Sequence, residues 1–159
     1  VRGRVGGSGA VSTVWVSESS VRCVTRAGAG GKLNVTVGAD SKTAVCPGCY
    51  SYDIPVISSI SPLTGPSSGG ITITLWGSNF GQELEPRNGF VSTTTGHTLA
   101  KTLFWTSDSA CKMVLPKGVG VKTGVVLEVV GQSGTAVDTF EYDGVIPGLL
   151  DASRSTATG

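Results

Sequence analysis

Tyr52-Asp53-Ile54-Pro55-Val56-Ile57-Ser58-Ser59-Ile60-Ser61-Pro62-Leu63-Thr64-Gly65-Pro66-Ser67-Ser68-Gly69-Gly70-Ile71-Thr72-Ile73-Thr74-Leu75-Trp76-Gly77 is the stretch whose reading decides the fold. Pro55 and Pro62 carry no amide hydrogen, so they suit an edge strand that starts, breaks and restarts. Thr64-Gly65-Pro66 and Ser68-Gly69-Gly70 are turn chemistry, because glycine admits positive φ and proline presets φ near −65°. Ile71, Ile73 and Leu75 then alternate with Thr72 and Thr74, the period of a strand with one buried face. One β-unit therefore ends at Tyr52-Asp53 and another opens at Pro55.

Composition points the same way. The chain has 159 residues with 24 glycines, 19 serines and 18 threonines, and only 14% are charged. Glycine and β-branched residues disfavour helix and favour short strands joined by tight turns. No apolar period of 3.6 residues stands out. The net charge is +1 and the cations are scattered, which argues against a nucleic-acid partner, since phosphate binding needs clustered cations. No apolar run approaches the roughly 20 residues that cross a bilayer, so no membrane insertion is expected in this segment. No secretory leader pattern is visible, as expected of a mature or excised segment.

The ordered set Pro55, Ile57, Ile60, Pro62, Gly65-Pro66, Gly69-Gly70, the alternating run Ile71 to Leu75, Gly77 and Phe80 resembles the opening of an IPT/TIG domain, an immunoglobulin-like module. The resemblance implies an all-β fold of β-sandwiches, here in tandem. It also implies an extracellular or cell-surface setting, as in the plexin-like and fibrocystin-like receptors that carry arrays of such modules.

The chain repeats itself. Trp15 and Trp105 lie 90 residues apart, as do Ser17 and Ser107, Val24 and Val114, Gly28 and Gly118, Lys32 and Lys122, and Tyr52-Asp53 and Tyr142-Asp143. A period that long means whole domains in tandem. Residues 54–144 make a complete unit, with inward positions expected at Cys111, Met113, Leu115, Val125, Leu127, Val129, Phe140 and Tyr142. Strands are expected at Phe90 to Thr94 and Lys101 to Thr106, with a turn at Gly96 and a solvated loop His97 beside it. Residues 1–53 make a partial unit. On the same offset Val1 matches Val91, and everything matching Pro55 to Phe90 is missing. Residues 145–159, with Ile146-Pro147-Gly148-Leu149-Leu150, read as a linker or the start of a further unit.

Half a sandwich exposes its inner face and an unpaired strand edge. Other polypeptide is expected to cover it, either a neighbouring copy contributing strands or further sequence of a longer array. Head-to-tail contacts that do not close build a filament.

Asn34-Val35-Thr36 is an N-glycosylation sequon. Val35 and Val37 match the inward Val125 and Leu127, so Asn34 points outward and an N-linked glycan is expected there. Cys46-Pro47-Gly48-Cys49 lacks the βαβ setting of a redox motif and the second ligand pair of a zinc site. Cys23 and Cys46 match the inward Met113 and Ala136, so a Cys23–Cys46 disulfide is open, with Cys46–Cys49 as the local alternative. Cys111 reads as a buried small hydrophobe. Trp15 and Trp105 are expected to pack on the core or cap it. Trp76, following Leu75, reads as the exposed tryptophan best placed for an inter-unit or glycan contact. No catalytic constellation, metal set or cofactor signature is seen.

These readings combine into a non-enzymatic structural protein whose partners are other copies of itself or adjacent modules. Its modules would assemble head to tail into an extracellular glycosylated filament or rod. The alternatives are a ligand-binding or adhesion ectodomain module of a cell-surface receptor, and an accessory domain of a secreted carbohydrate enzyme.

Overall fold

The computed structural model describes residues 1–83, 85–93, 96–120 and 122–144. The described chain is built from strands, as the turn-rich, β-branched sequence requires. The first unit holds β1 (Arg2–Val5), β2 (Ser8–Gly9), β3 (Ser12–Ser17), β4 (Ser20–Val24), β5 (Leu33–Ala39) and β6 (Lys42–Tyr50). The second holds β7 (Val56–Ser61), β8 (Thr64–Gly65), β9 (Thr72–Ser78), β10 (Arg87–Thr93), β11 (Gly96–Leu99), β12 (Thr102–Ser107), β13 (Ala110–Val114), β14 (Thr123–Val129) and β15 (Gln132–Tyr142).

The second unit is a closed sandwich. A sheet in the order β11-β10-β14-β15-β8 faces a sheet in the order β12-β13-β9-β7. Its core joins Ile57, Ile60, Ile73, Leu75, Phe80, Cys111, Met113, Leu115, Val125, Leu127, Val129, Phe140 and Tyr142, all buried. β7 closes the sandwich by lying against β15, where the Ile60 amide donates to Asp138 Oδ2 at 3.3 Å. Glycine is required at this seam, since a Cβ on Gly134 would collide with the Pro55 carbonyl oxygen.

The first unit repeats only part of this plan. Its sheets are β2-β1-β5-β6 and the β3-β4 ribbon. β1 to β6 correspond to β10 to β15, and nothing in residues 1–53 corresponds to β7, β8 or β9.

The structure corrects the repeat at its beginning. Gly3 pairs with Val37 as Gly89 pairs with Leu127, and the amides of Ala10 and Ala100 donate to the carbonyls of Gly3 and Gly89. From Ala10 onward the offset is 90, but on β1 it is 86. Val5, not Val1, matches Val91, and the first hairpin is four residues shorter. The missing portion thus corresponds to Pro55 through Pro86. Gly96 and His97 also lie on β11 rather than in a turn or loop, and Thr94, the expected end of the strand from Phe90, lies outside the described residues.

Candidate functional site

Equivalent positions in the two units have unequal burial. Cys111, Met113, Val125 and Leu127 are 0% exposed, sealed by β7 and β9. Their counterparts Val21, Cys23, Val35 and Val37 are only half-buried. Ala136 is buried, whereas its counterpart Cys46 is exposed. In the second unit β13 pairs with β9 through Met113↔Ile73 and Cys111↔Leu75, while in the first β4 has β3 as its one partner strand among the described residues. In the second unit the equivalent side chains and strand edge are covered by β7 and β9.

Trp15 follows from the same absence. It is 57% exposed, contrary to the expected core or capping role. Trp105 is half-buried because its indole Nε1 donates to the Gly81 carbonyl at 3.0 Å and the Arg87 guanidinium stacks 5.6 Å from its ring centroid. Gly81 lies in the segment with no counterpart in the first unit, and Arg87 sits at its boundary, so Trp15 lacks this cap.

The second feature is the junction between the units. Loop 27–32 of the first unit is a receptacle shaped by Gly30 at φ +104° and Lys32 at φ +53°, and by the Tyr52 hydroxyl, which donates to the Arg26 carbonyl at 2.8 Å. Second-unit residues fill it. Gln132 Oε1 accepts from the Gly30 amide at 3.1 Å, and its Nε2 donates to the Tyr52 carbonyl at 3.1 Å. Glu85 Oε1 accepts from the Ala29 amide at 2.8 Å, and Gln82 Nε2 donates to the Ala27 carbonyl. Val130 packs on Gly30. Beside these contacts lies a cleft of about 490 Å³ lined by Tyr52, Asp53, Asn79, Gln82, Trp105 and Asp108.

Trp76, the sequence candidate for an inter-unit contact, is not among the side chains that make this junction. It is 42% exposed and pairs with Ala110 and Ser59 on β9. The outward direction follows from the regular alternation of Ile73 and Leu75 inward.

Asn34 is exposed, as its position on β5 requires. Its Oδ1 accepts from the Gly48 amide at 3.0 Å, which leaves Nδ2, the atom a glycan would occupy, free to point to solvent. Gly48 belongs to the Cys46–Cys49 turn, and the structure bonds these two cysteines to each other. The alternative Cys23–Cys46 bridge is therefore not formed, because Cys46 turns outward on β6. Cys23 is a free thiol on the open face, and Cys111 is a free thiol in the core. Burial pushes the Cys111 thiol up to about 12, so it is inert at neutral pH. Among the described residues no group of three or more His, Cys, Asp or Glu side chains is arranged to hold a metal ion.

An IPT/TIG domain model matches residues 3–54 and again residues 55–142. The chain is 37% identical to human Plexin-B1 over 79 residues, which is 50% of this chain but 3% of Plexin-B1. Two solved structures share the fold. One is a surface glycan-binding protein from Prevotella bryantii, at TM-score 0.55 and 14% identity, covering 85% of this chain and 32% of that one. The other is a protein of unknown function from Bacteroides thetaiotaomicron, at TM-score 0.52 and 19% identity, covering 57% and 22%. The chain thus spans only a small part of each of these relatives.

Proposed function

Since the chain belongs to the IPT/TIG domain family, we propose that it is a non-enzymatic structural stretch of an extracellular tandem array, glycosylated at Asn34, whose units join head to tail into a rod or filament. The observation that carries this reading is the junction, where Gln82, Glu85 and Gln132 of the second unit bond backbone groups of the first. The inner face of the first unit also needs further polypeptide over it. The same side chains that are sealed in the second unit are half-exposed in the first, beside the outer edge of β4. Covering that face with strands from a neighbour removes apolar surface from water and pairs the edge. Repetition of one heterologous contact gives an open polymer. The junction supports a rod, because three side chains lock unit to unit through backbone groups. The likeness to Plexin-B1 and to a surface glycan-binding protein supports the extracellular or cell-surface setting.

A ligand-binding ectodomain module is the second reading, favoured by the junction cleft where Tyr52 and Trp105 lie among acid and amide side chains. Electron microscopy of the secreted, glycosylated chain separates the two. Filaments with an axial repeat of one or two units support assembly. A monodisperse particle at every concentration, binding a single partner, overturns it in favour of the second reading.

A further inference from the structure

The outer face of the β12-β13-β9-β7 sheet carries two large aromatic side chains that the core does not use. Period 2 sends Ile73, Leu75, Cys111 and Met113 inward, so Trp76, Lys112 and Phe104 face solvent. Trp76 is 42% exposed and Phe104 is 53% exposed. The first unit holds Val14 at the position of Phe104, so the strand does not need an aromatic there. Trp105 is half-buried and anchors its indole N–H on the Gly81 carbonyl, whereas Trp76 stays open to water.

The register fixes how the two rings stand. Trp76 lies opposite Ala110, and Phe104 lies opposite Lys112, which in turn lies opposite Thr74. The rings are therefore two strands apart across the sheet and two residues apart along it, which puts their Cα atoms roughly 12 Å from each other. The ground between them is low, with Ala110 beside Trp76 and the flexible Lys112 beside Phe104. Hydroxyls surround them at Ser59, Ser61, Thr72, Thr74 and Thr102.

Charge narrows the choice of ligand. These four strands contain one charged residue, Lys112, and no acid. The opposite sheet carries Arg87, Glu128, Asp138 and Glu141. A polyanion needs clustered cations and a polycation needs acids, and this face offers neither. The core of a protein interface is continuous apolar surface, whereas here each ring is set off by a small, hydroxylated or lysine side chain.

We propose that this face binds a neutral, extended polysaccharide, with Trp76 and Phe104 as two stacking platforms for one chain. The C–H groups on the face of a pyranose ring carry partial positive charge and meet the electron-rich face of an aromatic ring. A separation of roughly 12 Å is close to the length of a disaccharide unit in an extended chain, so the two rings engage alternate sugars. Serine and threonine hydroxyls donate to or accept from sugar hydroxyls, and Lys112 Nζ donates to sugar oxygens between the rings. The flat sheet sets the shape: a ribbon-like β-linked chain lies along it, while a coiled α-linked chain touches one ring at a time. The site lies wholly on four described strands of the second unit and stands apart from the filament reading.

Isothermal titration of the full chain with cellohexaose, xylohexaose and mannohexaose tests this. At least one should bind, and the α-linked maltohexaose should bind at least about tenfold more weakly. Trp76→Ala and Phe104→Val should each weaken binding at least about tenfold. Phe104→Val installs the residue that the first unit carries at this position, so the strand is kept, and an unreactive Cys111 thiol certifies that each variant is folded. Trp15→Ala should leave binding unchanged. Binding of none of the three β-linked probes, binding that survives either platform substitution, or equal binding of maltohexaose overturns the proposal. Heparin bound in their place and released by Lys112→Ala gives the face to a polyanion. Self-association lost in Trp76→Ala, without sugar binding, gives it to a second copy; either result also overturns the proposal.

Discussion

Truncating one matched pair of side chains measures how open the first unit is. Leu127 and Val37 hold equivalent positions on β14 and β5, but Leu127 is 0% exposed and Val37 is half-buried. Leu127→Ala removes buried atoms and leaves a cavity, at a cost of about 2–5 kcal/mol. At about 4–8 °C of Tm per kcal/mol for a domain of this size, that is a fall of roughly 8–40 °C in the second unit's transition. Val37→Ala removes two methyl groups worth about 0.8 kcal/mol each when fully buried, and on the half-covered face about half that sum, under about 1 kcal/mol. In the assembled particle the face is sealed, and the Val37→Ala cost rises to about 1.5 kcal/mol or more as a cavity term is added. Calorimetry of the dispersed chain and of the assembled particle reads both transitions. If Val37→Ala already costs the dispersed chain about 1.5 kcal/mol or more, the first unit is already sealed and the reasoning is wrong.

Gln132→Ala deletes two junction hydrogen bonds of about 0.5–1.5 kcal/mol each. Hydrogen exchange at Gly30 should quicken and solution scattering should show a broader range of inter-unit angles, with the second unit's Tm unchanged. Alkylation of the folded chain should label Cys23 and spare Cys111. Burial holds the Cys111 thiol near 12 against an ordinary 9.0, so the unfolded chain ionises first as pH rises. The second unit should lose stability between about pH 9 and 12, and Cys111→Val should flatten that part of a denaturant-midpoint profile. In a secreted chain, Asn34→Gln should lower the intact mass by one N-linked glycan; an unchanged mass removes the glycan from the account.

Much of the fold is legible because period-2 patterning and turn residues act locally. Ile71 to Leu75, the Gly-Gly turn and the Tyr52/Tyr142 repeat each report their own surroundings. The shortened first hairpin was not legible, since four residues lost from a turn leave no compositional mark, and only the pairing of Gly3 with Val37 reveals them. The disulfide is ambiguous in the sequence because Cys23 and Cys49 both suit Cys46; the outward position of Cys46 on β6 decides for Cys49. The exposure of Trp15 depends on groups that its repeat partner owns and it lacks. The junction role of Gln132 is not legible in the sequence because a glutamine beside a hairpin turn looks like any solvated residue. One signal pointed to it, the Lys42 at the matching position, for a conserved turn role would have kept the residue type.

The central claim is that other polypeptide covers the inner face of the first unit. A cryo-electron microscopy map of the native particle tests it most directly. The account expects extra strand density against β4 and β6, over Val21, Cys23, Val35 and Val37. A particle in which that face meets only solvent would contradict it.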